Sequence, residues 1–372
     1  MRTELCKKLG IEFPIFAFTH CRDVVAAVTN AGGFGVLGAT GFGPEQLEIE
    51  LNWIDEKVGN KPYGVDVIIP NKYEGQDVRD PEKHKAIIKA AIPQRHRDFA
   101  RQLLEDHNVP ELPEGKPYRE RVTMTENTAV PLVDVALKHD NVKLIANALG
   151  TPPPHVIKQI QDSGRMVGAL CGKPAHAQYH VDAGLDFIIA QGGEGGGHTG
   201  DIGSVVLWPE VVKVAGDIPV IAAGGIGSGE QMAAALALGA QGVWCGSIWL
   251  TVSEAETSET VKELMFAADS SGTVRSKSFT GKHVRMLKNA WSEGWDAEGN
   301  PESLGAPMQM MVSGSALARI HRYPEQAKEL AFAPVGQIVG SMNHSISSRN
   351  LLMDMVNGYL ASTERLSALL ED

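Results

Sequence analysis

The sequence predicts an α/β protein, a closed (β/α)8 barrel, and three observations carry that reading. Short apolar runs recur eight times, most are separated by a segment of helical periodicity, and glycine gathers just after the runs. Runs without polar alternation suit strands covered on both faces, as in a parallel sheet. An open doubly wound sheet is the rival architecture; eight successive units favour closure, and about 250 residues is the usual size of such a barrel.

The strand-like runs are, in order, Pro14–Thr19, Gly35–Thr40, Gly64–Ile69, Leu144–Leu149, Met166–Cys171, Phe187–Gly192, Val220–Gly225 and Val243–Ile248. Helical periodicity lies in Val24–Asn30, Pro44–Val58, Val130–His139, Pro154–Asp162, Ala175–Ala183, Pro209–Val214 and Glu230–Leu238. Gly32, Gly164, Gly184 and Gly239 stand where helix C-caps are expected. Two regions exceed the minimal barrel. Residues 71–128 are charged and proline-bearing, with a helix or two between Lys83 and His107, and read as an insertion after the third strand. That places them at the C-terminal face, where such barrels keep their active sites. A lid, a homodimer contact and a solvated surface excursion are all open for this segment. The division expected is a barrel with its insertion over 1–253 and a C-terminal helical extension over 254–372.

Composition excludes several classes. With 43% hydrophobic and 21% charged residues the chain is globular rather than disordered. A net charge of −11 argues against a binder of nucleic acid, which needs a concentrated basic surface. No apolar run is long enough for a transmembrane helix, and MRTELCKKLGIEF lacks the apolar stretch of a secretory signal. Cys6, Cys21, Cys171 and Cys245 show no CxxC spacing. The expectation is a cytoplasmic protein with reduced thiols, no membrane association and a small-molecule substrate.

The densest chemical signal is the run from Gln191 to Asp201, with six glycines among residues 191–200 and His198 beside them. Glycine lets the backbone approach a ligand and exposes peptide N–H groups. Histidine there supplies an acid, a base or a donor near neutral pH, the bland alternative being a flexible loop whose histidine is merely exposed. A second glycine cluster, Gly224, Gly225, Gly227 and Gly229, precedes a helix from Glu230, and Gly246-Ser247 follows the last strand. The loops after strands seven and eight are the usual phosphate position in this fold.

AQGGEGGGHTGD, IPVIAAGGIGSGEQMAAALALGAQGVWCGS and NAGGFGVLGA (Asn30–Ala39) together resemble the nitronate monooxygenase family, once called 2-nitropropane dioxygenases. FTGKHVRMLKNAW (Phe279–Trp291) resembles a further family segment. The family consists of FMN-dependent TIM barrels, similar to flavin-dependent enoyl-ACP reductases and NADH:quinone reductases. The resemblance implies FMN as cofactor. Gln191, Gly195, Gly196 and Gly197 would lie beside the flavin, and Gly224, Gly225, Gly246 and Ser247 would hold its phosphate. His198 matches the active-site histidine; Asp66 could touch the flavin or be a strand-end carboxylate satisfied by backbone donors. The activity implied is oxidation of alkyl nitronates with O2 to a carbonyl compound and nitrite. The alternative is a reductase of an enoyl thioester or quinone that takes electrons from NAD(P)H. The chain departs from the family pattern in several places. Gly195 replaces the usual alanine, Ser247-Ile248-Trp249 the usual Thr-Arg-Phe, and Asp66 a common asparagine. Phe16–His20 stands where Pro-Met is usual, and the 71–128 insertion is longer than the family's.

Other residues carry two readings each. His20 is a pocket residue or a surface cap. His176 and His180 have metal-ligand spacing but no acidic third ligand, so no metal is expected. His283 and Arg285 form a cationic patch near phosphate or, on the safer reading, a solvated face. Cys171 and Cys245 read as packed small hydrophobes. Trp244 and Trp249 line the site or fill the core.

Overall fold

The computed structural model describes residues 1–69, 81–113 and 126–370. Eight parallel strands close into a barrel: β1 (Ile15–Thr19), β2 (Phe34–Gly38), β3 (Tyr63–Val67), β4 (Val142–Asn147), β5 (Met166–Cys171), β6 (Phe187–Gln191), β8 (Val220–Ala223) and β9 (Gly242–Cys245). A two-residue strand β7 (Gly197–His198) lies outside the ring, and β9 closes it against β1, with Ile15 opposite Val243. The eight strands match the eight apolar runs to within two residues at most ends.

Alternation decides which side chains fill the ring. Phe16, Phe34, Leu144, Phe187, Ile221 and Trp244 point inward and form the interior cluster. Each phenylalanine lies over a glycine of the neighbouring strand. A Cβ on Gly64 would sit 2.9 Å from Phe34, one on Gly168 2.5 Å from Phe187, and one on Gly242 2.8 Å from Phe16. Some of the chain's 40 glycines therefore serve barrel packing rather than ligand chemistry. Helix α1 (Glu4–Leu9), capped by the Thr3 hydroxyl accepting from the Cys6 N–H, inserts Leu5, Cys6 and Leu9 into the same cluster and plugs the N-terminal end.

Around the ring stand α2 (Arg22–Asn30), α3 (Pro44–Val58), and α6 (Glu126–Ala136) to α10 (Gly229–Ala237). Between β3 and α6 run α4 (Pro81–Ala91) and α5 (Gln94–Asp106), two helices broken at Pro93. Residues 70–80 and 114–125 of the expected insertion lie outside the described residues.

α5 is not a solvated excursion. Its Ala100, Leu103 and Leu104 pack against Trp291 and Trp295 of α12 (Ala290–Asp296) and Val312, Ala316 and Ile320 of α13 (Met308–Arg322). Arg319 of α13 is buried and donates to the Pro110 carbonyl at 2.9 Å and to Glu111 at 2.8 Å. The chain beyond residue 254 is mostly helical, from α11 (Glu259–Ala267) to α14 (Ser348–Ala368), the last packed on α10. It also holds a hairpin, β10 (Thr273–Ser276) and β11 (Val284–Leu287), that joins β7 in an antiparallel sheet. Four-residue strands carrying Arg275 and Arg285 give no apolar run to read in the sequence. Among the described residues no helix is long and apolar enough to cross a membrane.

Candidate active site

The C-terminal ends of β6, β8 and β9 are neighbours, with Gln191 opposite Ala223 and Ala223 opposite Trp244. The loops that follow them therefore meet, and they bring together Gln191, Gly195–Gly197, Gly224–Gly225 and Gly246–Ser247. Asp66, on β3, is four strands from β8 in either direction, on the opposite side of the mouth. His20 lies beside it on the β1–β2 rim, its Nδ1 2.9 Å from the Gly38 carbonyl oxygen and its ring edge-on to Phe18. It also lines a cleft of about 490 Å3 with Arg22, Gln46, Glu50 and Glu256.

The loop after β8 turns on two residues of positive φ, Gly224 (+96°) and Gly225 (+67°), a conformation glycine adopts without steric cost. The amides of Gly224, Gly225, Ile226 and Gly246 have no partner among the described residues. The helix end just beyond is already satisfied. Ser228 caps α10 in a capping box, and Oε1 of Gln231 accepts from both the Gly227 N–H (2.7 Å) and the Ser228 N–H (3.1 Å). The donors left free for a ligand are thus loop amides rather than the helix N-terminus. Across them runs the segment Val335–Ile338. The Gly336 N–H donates to Ser247 Oγ at 2.8 Å, and the Gln337 N–H donates to the Glu194 carbonyl at 2.9 Å.

Glu194, inside the glycine-rich run, is a structural anchor. Its carboxylate accepts from the backbone N–H of Ser204 (3.0 Å) and from the Ser204 hydroxyl (2.9 Å), capping α9 (Ser204–Ala215). Gln191 donates to the Gly196 carbonyl at 3.3 Å. Both ends of the run are held by the hairpin. Arg285 donates from Nε to the Gly193 carbonyl at 2.8 Å and from Nη1 to Thr273 Oγ1 at 2.9 Å. Arg275 pairs with Asp201 and donates to the Thr199 carbonyl at 3.2 Å. Arg285 is therefore a half-buried clamp and not a solvated face. The sequence signal for it was the Phe279–Trp291 segment, whose partner across the fold cannot be read from spacing.

His198 pairs with Val284 in this sheet and places Nε2 3.0 Å from Thr280 Oγ1. The Thr280 hydroxyl donates to the Lys282 carbonyl at 3.0 Å and so has no second proton for the imidazole. Nε2–H is then the donor, and the Nδ1 lone pair has no partner among the described residues. The ring is exposed to solvent at the rim of the site. Desolvation, helped by the Lys282 ammonium, pushes its pKa down to about 4. The imidazole is neutral at physiological pH.

The remaining candidates are structural. His180 is buried with Nδ1 2.8 Å from Thr151 Oγ1 and Nε2 3.1 Å from the Leu170 carbonyl, so both nitrogens are engaged away from His176. Burial pushes the thiols of Cys171 and Cys245 up to about 12. Trp244 stacks between Phe16 and Phe18 inside the barrel, and Trp249 is packed in the core.

The nitronate monooxygenase family model matches residues 2–358. The chain belongs to the nitronate monooxygenase family. Rv1533 of Mycobacterium tuberculosis (strain H37Rv), whose name assigns it as a monooxygenase, is 47% identical over 381 residues, with 100% of both chains covered. Among solved structures, nitroalkane oxidase from Streptomyces ansochromogenes superposes with a TM-score of 0.78 at 23% identity, covering 97% of this chain and 99% of that one. FabK from Thermotoga maritima gives 0.74 at 25% identity, covering 99% of each. Membership makes this nitronate monooxygenase family protein a flavin-dependent oxidoreductase. The residues at the mouth fit a flavin. Unpaired loop amides suit a phosphate, a Cβ on Gly224 would strike Gly192, and a buried unpartnered carboxyl faces the opposite side.

Proposed function

We propose that this protein oxidises alkyl nitronates, with O2, to a carbonyl compound and nitrite, and that its flavin is FMN. The observation that carries the reading is His198, a neutral imidazole with a free Nδ1 lone pair, on the same glycine-rich loop whose Gly192 abuts the loop of unpaired amides after β8. The amides of Gly224, Gly225 and Gly246 and the Ser247 hydroxyl would hold the phosphate, with Gln191 and Gly195–Gly197 beside the ring system. Arg285 and Glu194 keep that loop in place. His198 accepts a proton at Nδ1 when the substrate arrives as the neutral nitroalkane. The Lys282 ammonium, close enough to depress the histidine, favours the nitronate anion in the same mouth. A flavin held there would supply the redox chemistry, an acceptor for the substrate's electrons that oxygen can reoxidise. A solved structure of matching fold is named a nitroalkane oxidase, in keeping with this substrate class.

The fold likeness to FabK supports a second reading, reduction of an enoyl thioester or quinone with NAD(P)H as donor. One experiment separates the two. The flavin-loaded protein is mixed anaerobically with an alkyl nitronate and, separately, with NADH or NADPH. Bleaching by nitronate, with carbonyl product and nitrite on admitting air, is expected. Bleaching by a reduced nicotinamide alone would replace the oxidase reading with the reductase one.

A further inference from the structure

Most of the barrel interior is apolar, and one carboxyl group interrupts it. Val65 and Val67 pack outward with Leu47, Leu51 and Ile160 of the helix layer, so Asp66 between them faces the barrel axis. Gly64, two residues earlier, confirms the phase, since its Cβ would touch the inward-facing Phe34 and Leu144. Asp66 is only 2% exposed and stands one residue before the C-terminal end of its strand, in the layer that forms the floor of the mouth. Its carboxyl has no hydrogen-bond or ion-pair partner among the described residues.

The elements packed against it offer no compensating charge. On β2 its neighbour is Gly38, covered by the His20 ring, whose Nδ1 is engaged with the Gly38 carbonyl. On β4 its neighbour is Ala146, and the carboxamide of Asn147 is turned to Ile69 and Gly150. The rest of that layer is Phe18, Leu170, Gln191, Ala223 and Trp244. Among the described residues His20 is thus the one titratable group beside it, and no cation of theirs reaches it. An ionised carboxylate in such surroundings is an unpaired buried charge, which proteins avoid by keeping the proton.

We propose that Asp66 serves this site as a neutral carboxylic acid, its O–H donating a hydrogen bond to an acceptor atom on the ring system of the bound flavin. Burial alone holds the carboxyl well above the usual carboxylate range, in keeping with that state. The proposal rests on the flavin assignment and adds to it the protonation state and direction of one contact. Asp66→Asn keeps a donor of the same size and cannot ionise, whereas Asp66→Leu keeps the bulk and removes the donor.

Infrared difference spectra of the flavin-free protein at pH 7.5, wild type minus Asp66→Asn, should show the C=O stretch of a protonated carboxylic acid. FMN titrated into flavin-free protein at pH 6.5 should bind Asp66→Asn within about threefold of wild type and Asp66→Leu at least tenfold more weakly. Absence of the protonated band, or unchanged affinity in Asp66→Leu, would overturn the proposal. So would a wild-type affinity that rises relative to Asp66→Asn as pH increases, the mark of an ionised acceptor. If the band is present and wild type binds no FMN, the proposal falls together with the flavin assignment.

Discussion

Gly224→Ala tests the cradle where its geometry is most constrained. The added methyl would lie 2.8 Å from the Gly192 nitrogen, 2.9 Å from the Gly192 oxygen and 2.9 Å from Ser204 Oγ, at a φ of +96°. A side chain in such a backbone region costs roughly 1–3 kcal/mol, and displacing packed neighbours adds about 1–3 kcal/mol. Neither neighbour yields easily, because Ser204 is fixed by Glu194 and Gly192 is bonded to β8. Gly216→Ala is the matched control. Its φ is +58° with nothing within 4 Å of the new carbon, so only the left-handed backbone cost of about 1–2 kcal/mol remains. For a chain of 372 residues, an unfolding entropy of about 2 cal/mol/K per residue makes 1 kcal/mol worth roughly 1.3 °C. Scanning calorimetry should therefore show Tm lower by about 3–8 °C in Gly224→Ala and by about 1–3 °C in Gly216→Ala. FMN titration should show affinity falling at least tenfold, about 1.4 kcal/mol, in the first variant only. Equal Tm and equal flavin affinity in the two variants would refute the cradle.

Further outcomes follow from the same geometry. His198→Asn should retain flavin while anaerobic flavin reduction by the neutral nitroalkane slows by about 10²–10⁴-fold, the usual worth of an acid–base group; an unchanged rate would remove His198 from the proton transfer. Thr280→Val frees Nε2 and lets the imidazole take either tautomer, so single-turnover reduction should slow only several-fold, by about 1 kcal/mol. A loss as deep as that of His198→Asn would show that Thr280 does more than orient the ring. With its pKa near 4, His198 stays neutral on acidification well below the ordinary imidazole value of about 6.5. The acid limb of kcat should then fall near pH 4–5, and a limb at 6.5 would contradict the depressed value. Asp66 has the opposite linkage. Its folded pKa lies above its unfolded one, so the folded state holds the extra proton and stability falls as pH rises from about 4 toward the folded value. Asp66→Asn should accordingly raise Tm at pH 8 more than at pH 5, and the reverse ordering would place the carboxylate in a stabilising pair.

The barrel was legible because its cause is local. Strands buried on both faces must be apolar along their whole length, so Phe187–Gln191 or Val220–Ala223 announces itself without knowledge of any partner. The same holds for the glycines and for His198, which follow those strands directly. Tertiary structure alone decided the groups that act on that loop from a distance. Thr280 and Arg285 lie more than eighty residues from the atoms they hold, on a hairpin too short and too charged to show a strand pattern. The α5 helix that packs against the helices beside the hairpin comes from the first third of the chain. Which face of β3 carries Asp66 was equally hidden. Periodicity shows alternation, but only closure of the ring makes one side an apolar interior where a carboxyl keeps its proton.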